Sequence, residues 1–581
     1  MADAPVVDVV WLSYQDIADP RGYWDQGIVE DLFSDWLWKP NAGHQYRHRI
    51  GFKGERMDGA VVVLPGQFHR LDIPKLNSDL SDLRWVILIV TSDEASLFPW
   101  RQVVHPNMSV WVQMPRDRSD DFIPLPIGYP PNTLVERVPV EPVPTKTQDW
   151  FFCGQMTHSR RSGCVEQLEK LDGGTLVTTD GFNAQSKGLP RDEYLKQMVA
   201  AKIAPCPAGM TTPDSFRVFE ALQCGTIPIV DVRAGELEDY PLGYWEKALD
   251  GGAPFPQIDD WETLPRVIDE LLADWPFNAN VIGSWWLWYK RRLTYQFNRE
   301  LYRVRGETPK PSGPDELITV LMPTSVIPSH PDTSMIAETI RSVRKQLPNA
   351  EIILMIDGVR QEQSDRKADY DEYVRRLIWK CNHEWTNVLP IVSINHQHQA
   401  NITRMALGHV KTPAVLFVEH DTPLVGEIDW DGLCDVVGSG DMNVIRLSHE
   451  SNHLFDLYRD KMLDDGPVMY GNVPLVRTSQ WSQRPHLAAT AFYETIIDTY
   501  FGPESRTMIE DVMHGVVDYA YREQGEVGWS RYKVAVYAPD GDIKRSDNLD
   551  GRKSDPKFDM KFAYRGDTPE GAPAPTDGRV D

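Results

Sequence analysis

The chain has 581 residues, 41% of them hydrophobic and 25% charged, with a formal net charge of −25. This is a globular composition long enough for about three domains, and its acidic balance argues against a general nucleic-acid or anionic-membrane surface. Six Cys without paired or zinc-type spacing argue against a disulfide framework and predict reduced thiols in a cytoplasmic setting. The opening Met-Ala-Asp-Ala-Pro-Val-Val-Asp does not read as a signal peptide. The longest apolar run, residues 85–90, is too short to cross a bilayer.

Residues 1–143 read as alternating strands and helices, with strands predicted at 6–12, 60–64, 85–90 and 109–113. Their near-continuous apolar runs predict a parallel sheet covered on both faces. Asp93 and Glu94 follow the third of these strands, at the carboxyl end where open α/β sheets bind ligands, and are candidate general bases. Two solvated loop carboxylates fit the same pattern. Residues 139–146 carry three prolines and read as a linker.

Residues 144–307 form a second αβ segment. A short apolar run, 203–206, ends in Pro207 and Gly209. Thr212 is a fair N-cap with Pro213 at the first helical position, and Gly225 is placed to end the helix. Residues 227–232 are a β-rich run. The free N–H groups and positive dipole of such a helix start suit a diphosphate. Ser215 adds a hydroxyl and Arg217 a forked cation. Glu220, one turn on, could accept from a ribose diol. An ordinary αβ unit with a surface Arg–Glu pair fits the same spacing. Helices are predicted at 260–275 and 278–305, the latter with a Trp-rich cluster at 285–289 that reads as core.

The run Ser-Phe-Arg-Val-Phe-Glu-Ala-Leu-Gln-Cys-Gly-Thr-Ile-Pro-Ile-Val from Ser215 resembles the donor-binding signature of exostosin-type glycosyltransferases. Phe151-Phe152-Cys153-Gly154-Gln155, followed by Arg160 and Arg161, resembles the strand and basic loop that open their donor domain. The resemblance covers residues 145–235. It implies a GT-B fold of two Rossmann-like domains, with an acceptor-side domain at 1–143 and a donor domain at 144–307. It further implies nucleotide-sugar binding by Arg160, Ser215, Arg217 and Glu220, a base such as Asp93 or Glu94, and no metal cofactor at this module.

Residues 306–314 are rich in Pro and Gly and mark a boundary. A new αβ pattern occupies 315–540. Strands are predicted at 318–322, 351–356, 391–394 and 415–418, with a helix at 334–346. The last strand runs into Glu419-His420-Asp421. Two carboxylates flanking one residue can share a divalent cation that bridges phosphates; an acidic strand-to-turn junction fits the triplet alone.

The order of these elements resembles the GT-A nucleotide-sugar domain of the large family that includes cellulose and hyaluronan synthases. The resemblance implies that Thr324 and Asp357 hold base and ribose, with Asn401 and Arg404 on the following helix as further nucleotide-sugar contacts. It makes Glu419 and Asp421 the Asp-x-Asp metal element, with Glu in the first place, and Mn²⁺ or Mg²⁺ the cofactor. Asp511 becomes the base by position, Glu510 its rival, and His514 a third metal ligand. Residues 481–486 are expected to line the acceptor site. From 541 to 581 the chain is charged and Pro/Gly-rich, an extension expected to be partly disordered.

The resulting expectation is an α/β chain, GT-B followed by GT-A, acting as a bifunctional glycosyltransferase. UDP- or GDP-sugars would be the donors. A hydroxyl of a glycan, glycoprotein or glycolipid would be the acceptor, with inversion at both sites and no nucleic-acid or transmembrane partner. The alternatives are one active module beside a binding or scaffold domain, and a non-enzymatic carbohydrate-binding protein.

Overall fold

The computed structural model describes residues 6–12, 26–33, 44–52, 56–64, 72–91, 93, 98–113, 119–130, 143–179, 188–235, 243–308, 311, 313–448, 461–539 and 544–549. The chain is mixed α/β with parallel sheets and folds as two compact units, 1–312 with 377–390 and 313–376 with 391–581.

The first unit holds two sheets. The first contains β1 (Val6–Trp11), β2 (Gln45–Ile50), β3 (Ala60–Leu64), β4 (Val86–Val90), β5 (Met108–Gln113) and β6 (Ile123–Leu125), in the order β2-β1-β3-β4-β5-β6. Every pairing is parallel. The four predicted strands are present because their Val- and Ile-rich runs bury both faces. β2 escaped prediction. It is an edge strand, Gln-Tyr-Arg-His-Arg-Ile, largely exposed, and an edge needs no apolar run. Its Arg47 and Arg49 both donate to Asp8 of β1 at 2.7 Å.

The second sheet contains β7 (Gln148–Gln155), β8 (Gly174–Thr179), β9 (Ala201–Cys206), β10 (Ile227–Asp231) and β11 (Gln257–Ile258), in the order β11-β10-β9-β7-β8 and again parallel. The helix between β9 and β10 is Phe216–Gln223, with Ser215 at its N-cap. It starts later than the Thr212–Pro213 signal predicts. Asp214 accepts from the Tyr244 hydroxyl at 2.5 Å, and Gly209 N–H donates to the Asp214 carbonyl at 3.2 Å. These bonds hold residues 212–214 as a turn. Gly225 ends the helix with φ +61°, as its position predicts. All six thiols are free, and all but Cys153 are buried.

The helix Trp275–Arg305 closes this unit and ends at left-handed Gly306. It starts a few residues before the predicted 278. Trp286 packs against Phe219 of the second sheet's layer and Tyr129 of the first's. Further along, Phe297 packs against Phe33 and Trp111. The Trp-rich cluster is core, with Trp285 and Trp286 both stacked on Tyr289.

The third sheet contains β12 (Ile318–Thr324), β13 (Glu351–Ile356), β14 (Val388–Val392), β15 (Ala414–Phe417), β16 (Val444–Arg446), β17 (Val468–Tyr470), β18 (Val473–Arg477), β19 (His486–Ala489) and β20 (Val534–Tyr537). The order is β14-β13-β12-β15-β19-β16-β20-β18-β17. β12 pairs parallel with β13 and β15, and β15 pairs antiparallel with β19. β14 lies earlier than the predicted 391–394. Ser393 Oγ donates to the Asn395 carbonyl at 2.7 Å, and the chain from 393 turns toward the next helix. A strap at 544–549 lies antiparallel to 421–425. Val425 N–H donates to Arg545 O at 3.0 Å, Asp547 N–H to Pro423 O at 2.9 Å and Leu549 N–H to Asp421 O at 2.8 Å. The rest of the C-terminal extension lies outside the described residues.

Residues 481–486, expected to line an acceptor site, are instead largely core. Trp481 and His486 are buried, and His486 stacks between Phe417 and Tyr493. Aromatic side chains at the start of a central strand serve packing first.

Phe297 is 0% exposed, and Phe297→Ala should lower stability by about 3–5 kcal/mol, read from the first unit's urea transition. Burial pushes the His486 pKa from 6.5 to about 4. The unfolded chain then takes up a proton that the folded chain refuses. The contribution is intact above pH 6.5 and is withdrawn as pH falls toward 4, at up to about 1.4 kcal/mol per pH unit. A His486→Phe chain should therefore lose urea midpoint less steeply than wild type across that window.

Candidate functional site

In the second sheet β7 leads to β8 on one side, while β9 lies on the other. The chain order reverses between β7 and β9, and open α/β sheets bind ligands in the crevice at that point. The loop after β7 brings Met156, Thr157 and His158 to this crevice, and the loop after β9 leads to Ser215 and Arg217.

Arg217 is the central group. Its Nη2 donates to the Cys153 carbonyl at 2.7 Å, and its guanidinium carbon lies 4.6 Å from the Phe152 ring centroid. Its Nε and Nη1 are buried and have no hydrogen-bond partner, and it makes no ion pair among the described residues. Gly154 makes room for it: a Cβ there would meet Nη2 at 2.3 Å. At the carboxyl edge of the same sheet, Gln155 Oε1, Thr157 Oγ1, His158 Nδ1 and Ser215 Oγ are also buried without partners. A buried unpaired polar group costs about 1–3 kcal/mol, and folded proteins keep few of them. Those at this sheet edge suit a polar ligand or bound water.

His158 was missed in the sequence because nothing about its spacing stands out. Its Nε2 lies 3.1 Å from the Ala208 carbonyl. Burial, with the Arg161 cation beside it, lowers its pKa to about 4.

The other predicted residues of this unit have partners within the protein. Arg160 is held in a fork by Asp231 at the end of β10 and also donates to Asp259 O at 2.7 Å. Glu220 does not pair with Arg217; it accepts from Arg191 at 2.5 Å and from the Tyr194 hydroxyl at 2.6 Å. Asp93 is buried, not solvated, and accepts from Phe98 N–H at 2.9 Å. Glu94 lies outside the described residues.

In the second unit the chain order reverses between β12 and β15, and the acidic triplet sits at the carboxyl end of β15. Glu419 Oε1 lies 3.4 Å from Gln399 Nε2. The Asp421 carboxylate makes no hydrogen bond or ion pair among the described residues. The strap bond from Leu549 fixes its backbone. His420 between them is buried with Nε2 unpartnered.

Thr324 Oγ1 lies 2.9 Å from the Tyr373 hydroxyl. Asp357 is buried, and its carboxylate accepts from Gly358 N–H at 2.8 Å, Gln397 N–H at 2.7 Å and His398 N–H at 3.0 Å, with His396 Nδ1 at 2.9 Å. It ties down the loop that starts helix His398–Leu407. On that helix Asn401 accepts from Arg404 at 2.8 Å, and Arg404 also donates to Ile497 O at 3.0 Å and to Phe501 O. It caps the carbonyl end of helix Thr490–Tyr500.

The expected metal set of Glu419, Asp421 and His514 is not assembled: no three His, Cys, Asp or Glu side chains converge on a cation position among the described residues. His514 Nδ1 is 3.3 Å from the Trp481 carbonyl, which fixes a proton on it, and burial lowers its pKa. Glu510 accepts from Gln483 N–H at 3.1 Å, while Asp511 is exposed in the first turn of helix Ile509–Gln524.

Gly154→Ala should push Arg217 off the Cys153 carbonyl. The guanidinium then loses its hydrogen bond to that carbonyl, and thermal denaturation should show a stability loss of about 1–3 kcal/mol.

Residues 151–301, about a quarter of the chain, match the family model described as the RXYLT1 C-terminal domain, a glycosyltransferase-related domain. No curated protein matches the chain. Among solved structures, S. aureus TarS 1–349 is 16% identical with a TM-score of 0.26, the match covering 40% of this chain and 60% of that one. The mannosyltransferase PcManGT from Pyrobaculum calidifontis, solved with GDP-Man and Mn²⁺, is 12% identical with a TM-score of 0.26, covering 38% of this chain and 56% of that one. The chain spans less than two thirds of the length of either of these proteins.

Proposed function

We propose that this chain transfers a sugar from a nucleotide donor to an acceptor hydroxyl, with the donor site of the first unit at the β7–β9 crevice in a GT-B arrangement. The observation that carries this reading is Arg217, a cation buried at a topological switch point with no carboxylate in salt-bridge contact, Glu220 acting on it only at longer range. A departing nucleoside diphosphate would supply the missing anion, and a preplaced cation stabilises charge as it develops. The RXYLT1-type match supports the reading, because residues 151–301 contain Arg217 and the buried polar atoms around it.

The second unit would be a GT-A module. Glu419 and Asp421 suit Mn²⁺ or Mg²⁺, since such ions take one or two carboxylates and leave the remaining positions to phosphates and water. The open Asp421 carboxylate fits that use. When bound, the ion would neutralise charge on the diphosphate. Asp511, exposed at a helix start, is the proposed base, with Glu510 beside it; both modules are proposed to invert. Arg160, Ser215, Glu220, Thr324, Asp357, Asn401 and Arg404 would order the donor loops, several through the contacts they already make.

A second reading has one active module and one binding or scaffold domain. It is favoured by the second unit, where Asp357 and Arg404 are engaged with backbone groups of the protein itself.

The test is a thermal-shift panel of UDP-, GDP- and CMP-sugars, with and without Mn²⁺, on wild type, Arg217→Ala and Asp421→Ala. A ligand at about 100 times its Kd stabilises the fold by about 2.7 kcal/mol. Two shifts are expected, one metal-independent and lost with Arg217, one metal-dependent and lost with Asp421. A single shift would favour the second reading, and none would overturn the transferase reading.

A further inference from the structure

We infer that His158 is a ligand-contacting residue of the β7–β9 crevice, with its Nδ1 accepting a hydrogen bond from a hydroxyl of the bound sugar nucleotide. This rests on the transferase reading above.

Three neighbouring strands fix the ring. His158 follows β7. Its Nε2 meets the carbonyl of Ala208, just after β9. Gly235, after β10, packs on its other side: a Cβ there would lie 2.7 Å from the imidazole Cδ2 and Cε1, and Gly235 N–H bonds Gly209 O at 2.9 Å. The imidazole is therefore clamped among the loops of β7, β9 and β10, at the carboxyl edge of the sheet.

The clamp also fixes the tautomer. A carbonyl oxygen only accepts, so the ring proton is on Nε2. Burial keeps the ring neutral at pH 7, its pKa lying near 4. Nδ1 then carries a bare lone pair. No described protein group donates to it, although it is buried. A phosphate oxygen cannot fill this place, because it too is an acceptor. An uncharged O–H can. Arg217 and His158 thus present opposite demands within one crevice, a donor for the anion and an acceptor for a hydroxyl. Glycosyl nucleotides carry both, and the hydroxyl belongs to the ribose or to the transferred sugar.

His158→Gln in the full chain separates packing from contact. A Gln amide reaches the Nε2 position and can still donate to Ala208 O, but leaves no acceptor at the Nδ1 position. His158→Asn does the reverse. Binding is measured by calorimetry with pyrophosphate, UDP, GDP, UDP-N-acetylglucosamine, UDP-glucose and GDP-mannose. For His158→Gln the expected result is an unchanged ligand-free melting temperature, unchanged pyrophosphate binding, and about tenfold weaker binding of a nucleotide or nucleotide sugar, the size of one good hydrogen bond. Loss for UDP and UDP-sugar alike assigns the hydroxyl to ribose; loss for the UDP-sugar alone assigns it to the sugar. His158→Asn should melt lower yet bind better than His158→Gln at temperatures where it is folded. Equal nucleotide-sugar binding by His158→Gln and wild type would overturn the inference and leave the transferase reading standing. Tighter binding by Gln than by Asn would also overturn it. Failure of wild type to bind any of the nucleotides would overturn both.

Discussion

A buried guanidinium without a carboxylate is the constraint around which the first unit is arranged. Taking a cation from water is expensive, and an aromatic face with one carbonyl compensates only in part. Phe152 lies beside Arg217, the Cys153 carbonyl takes one donor, and Gly154 leaves room for the rest. These are consecutive residues of β7. A strand that must support a cation on one residue's ring, the next residue's carbonyl and a third residue's missing side chain has little freedom to vary. The same guanidinium needs the helix after β9 to begin where it does, at Phe216, so that the side chain falls back across β7.

The two units solve the same topological problem with different local chemistry. Each has a sheet, all parallel in the first unit and mixed in the second, whose chain order reverses beside the sheet's first strand, and each brings loops to that point. In the first unit those loops leave donors and acceptors unpaired. In the second, Asp357 takes up the loop that starts helix His398–Leu407, and Arg404 takes up the carbonyls of another helix end. What stays open there is Asp421, on a backbone fixed by the strap. One crevice is preorganised around a positive charge and the other around a negative one.

Much of the fold was legible because fully buried parallel strands must be apolar almost throughout, and β1, β3, β4, β12, β13 and β15 read that way. β2 was not legible, since an exposed edge strand has no such obligation. The helix after β9 was displaced by the Asp214–Tyr244 bond, a contact between residues 30 positions apart that no local cap signal reveals. Arg217 and Ser215 could be picked out because a helix start advertises its donors. Arg160 and Glu220 carried the right chemistry, but their partners, Asp231 and Arg191, come from other elements. His158 had no sequence signal at all. Its role depends on a carbonyl 50 positions away and on a glycine further still.

Burial raises the pKa of Cys164, Cys206, Cys224, Cys381 and Cys434, which keeps them protonated and out of reach of oxidants and alkylating agents. Burial raises the pKa of Cys153 as well, but its thiol alone is part-exposed, and its backbone carbonyl carries Arg217. Among the thiols, access from solvent is thereby concentrated on one sulfur, and any adduct formed there would be felt first by the buried cation of the first crevice.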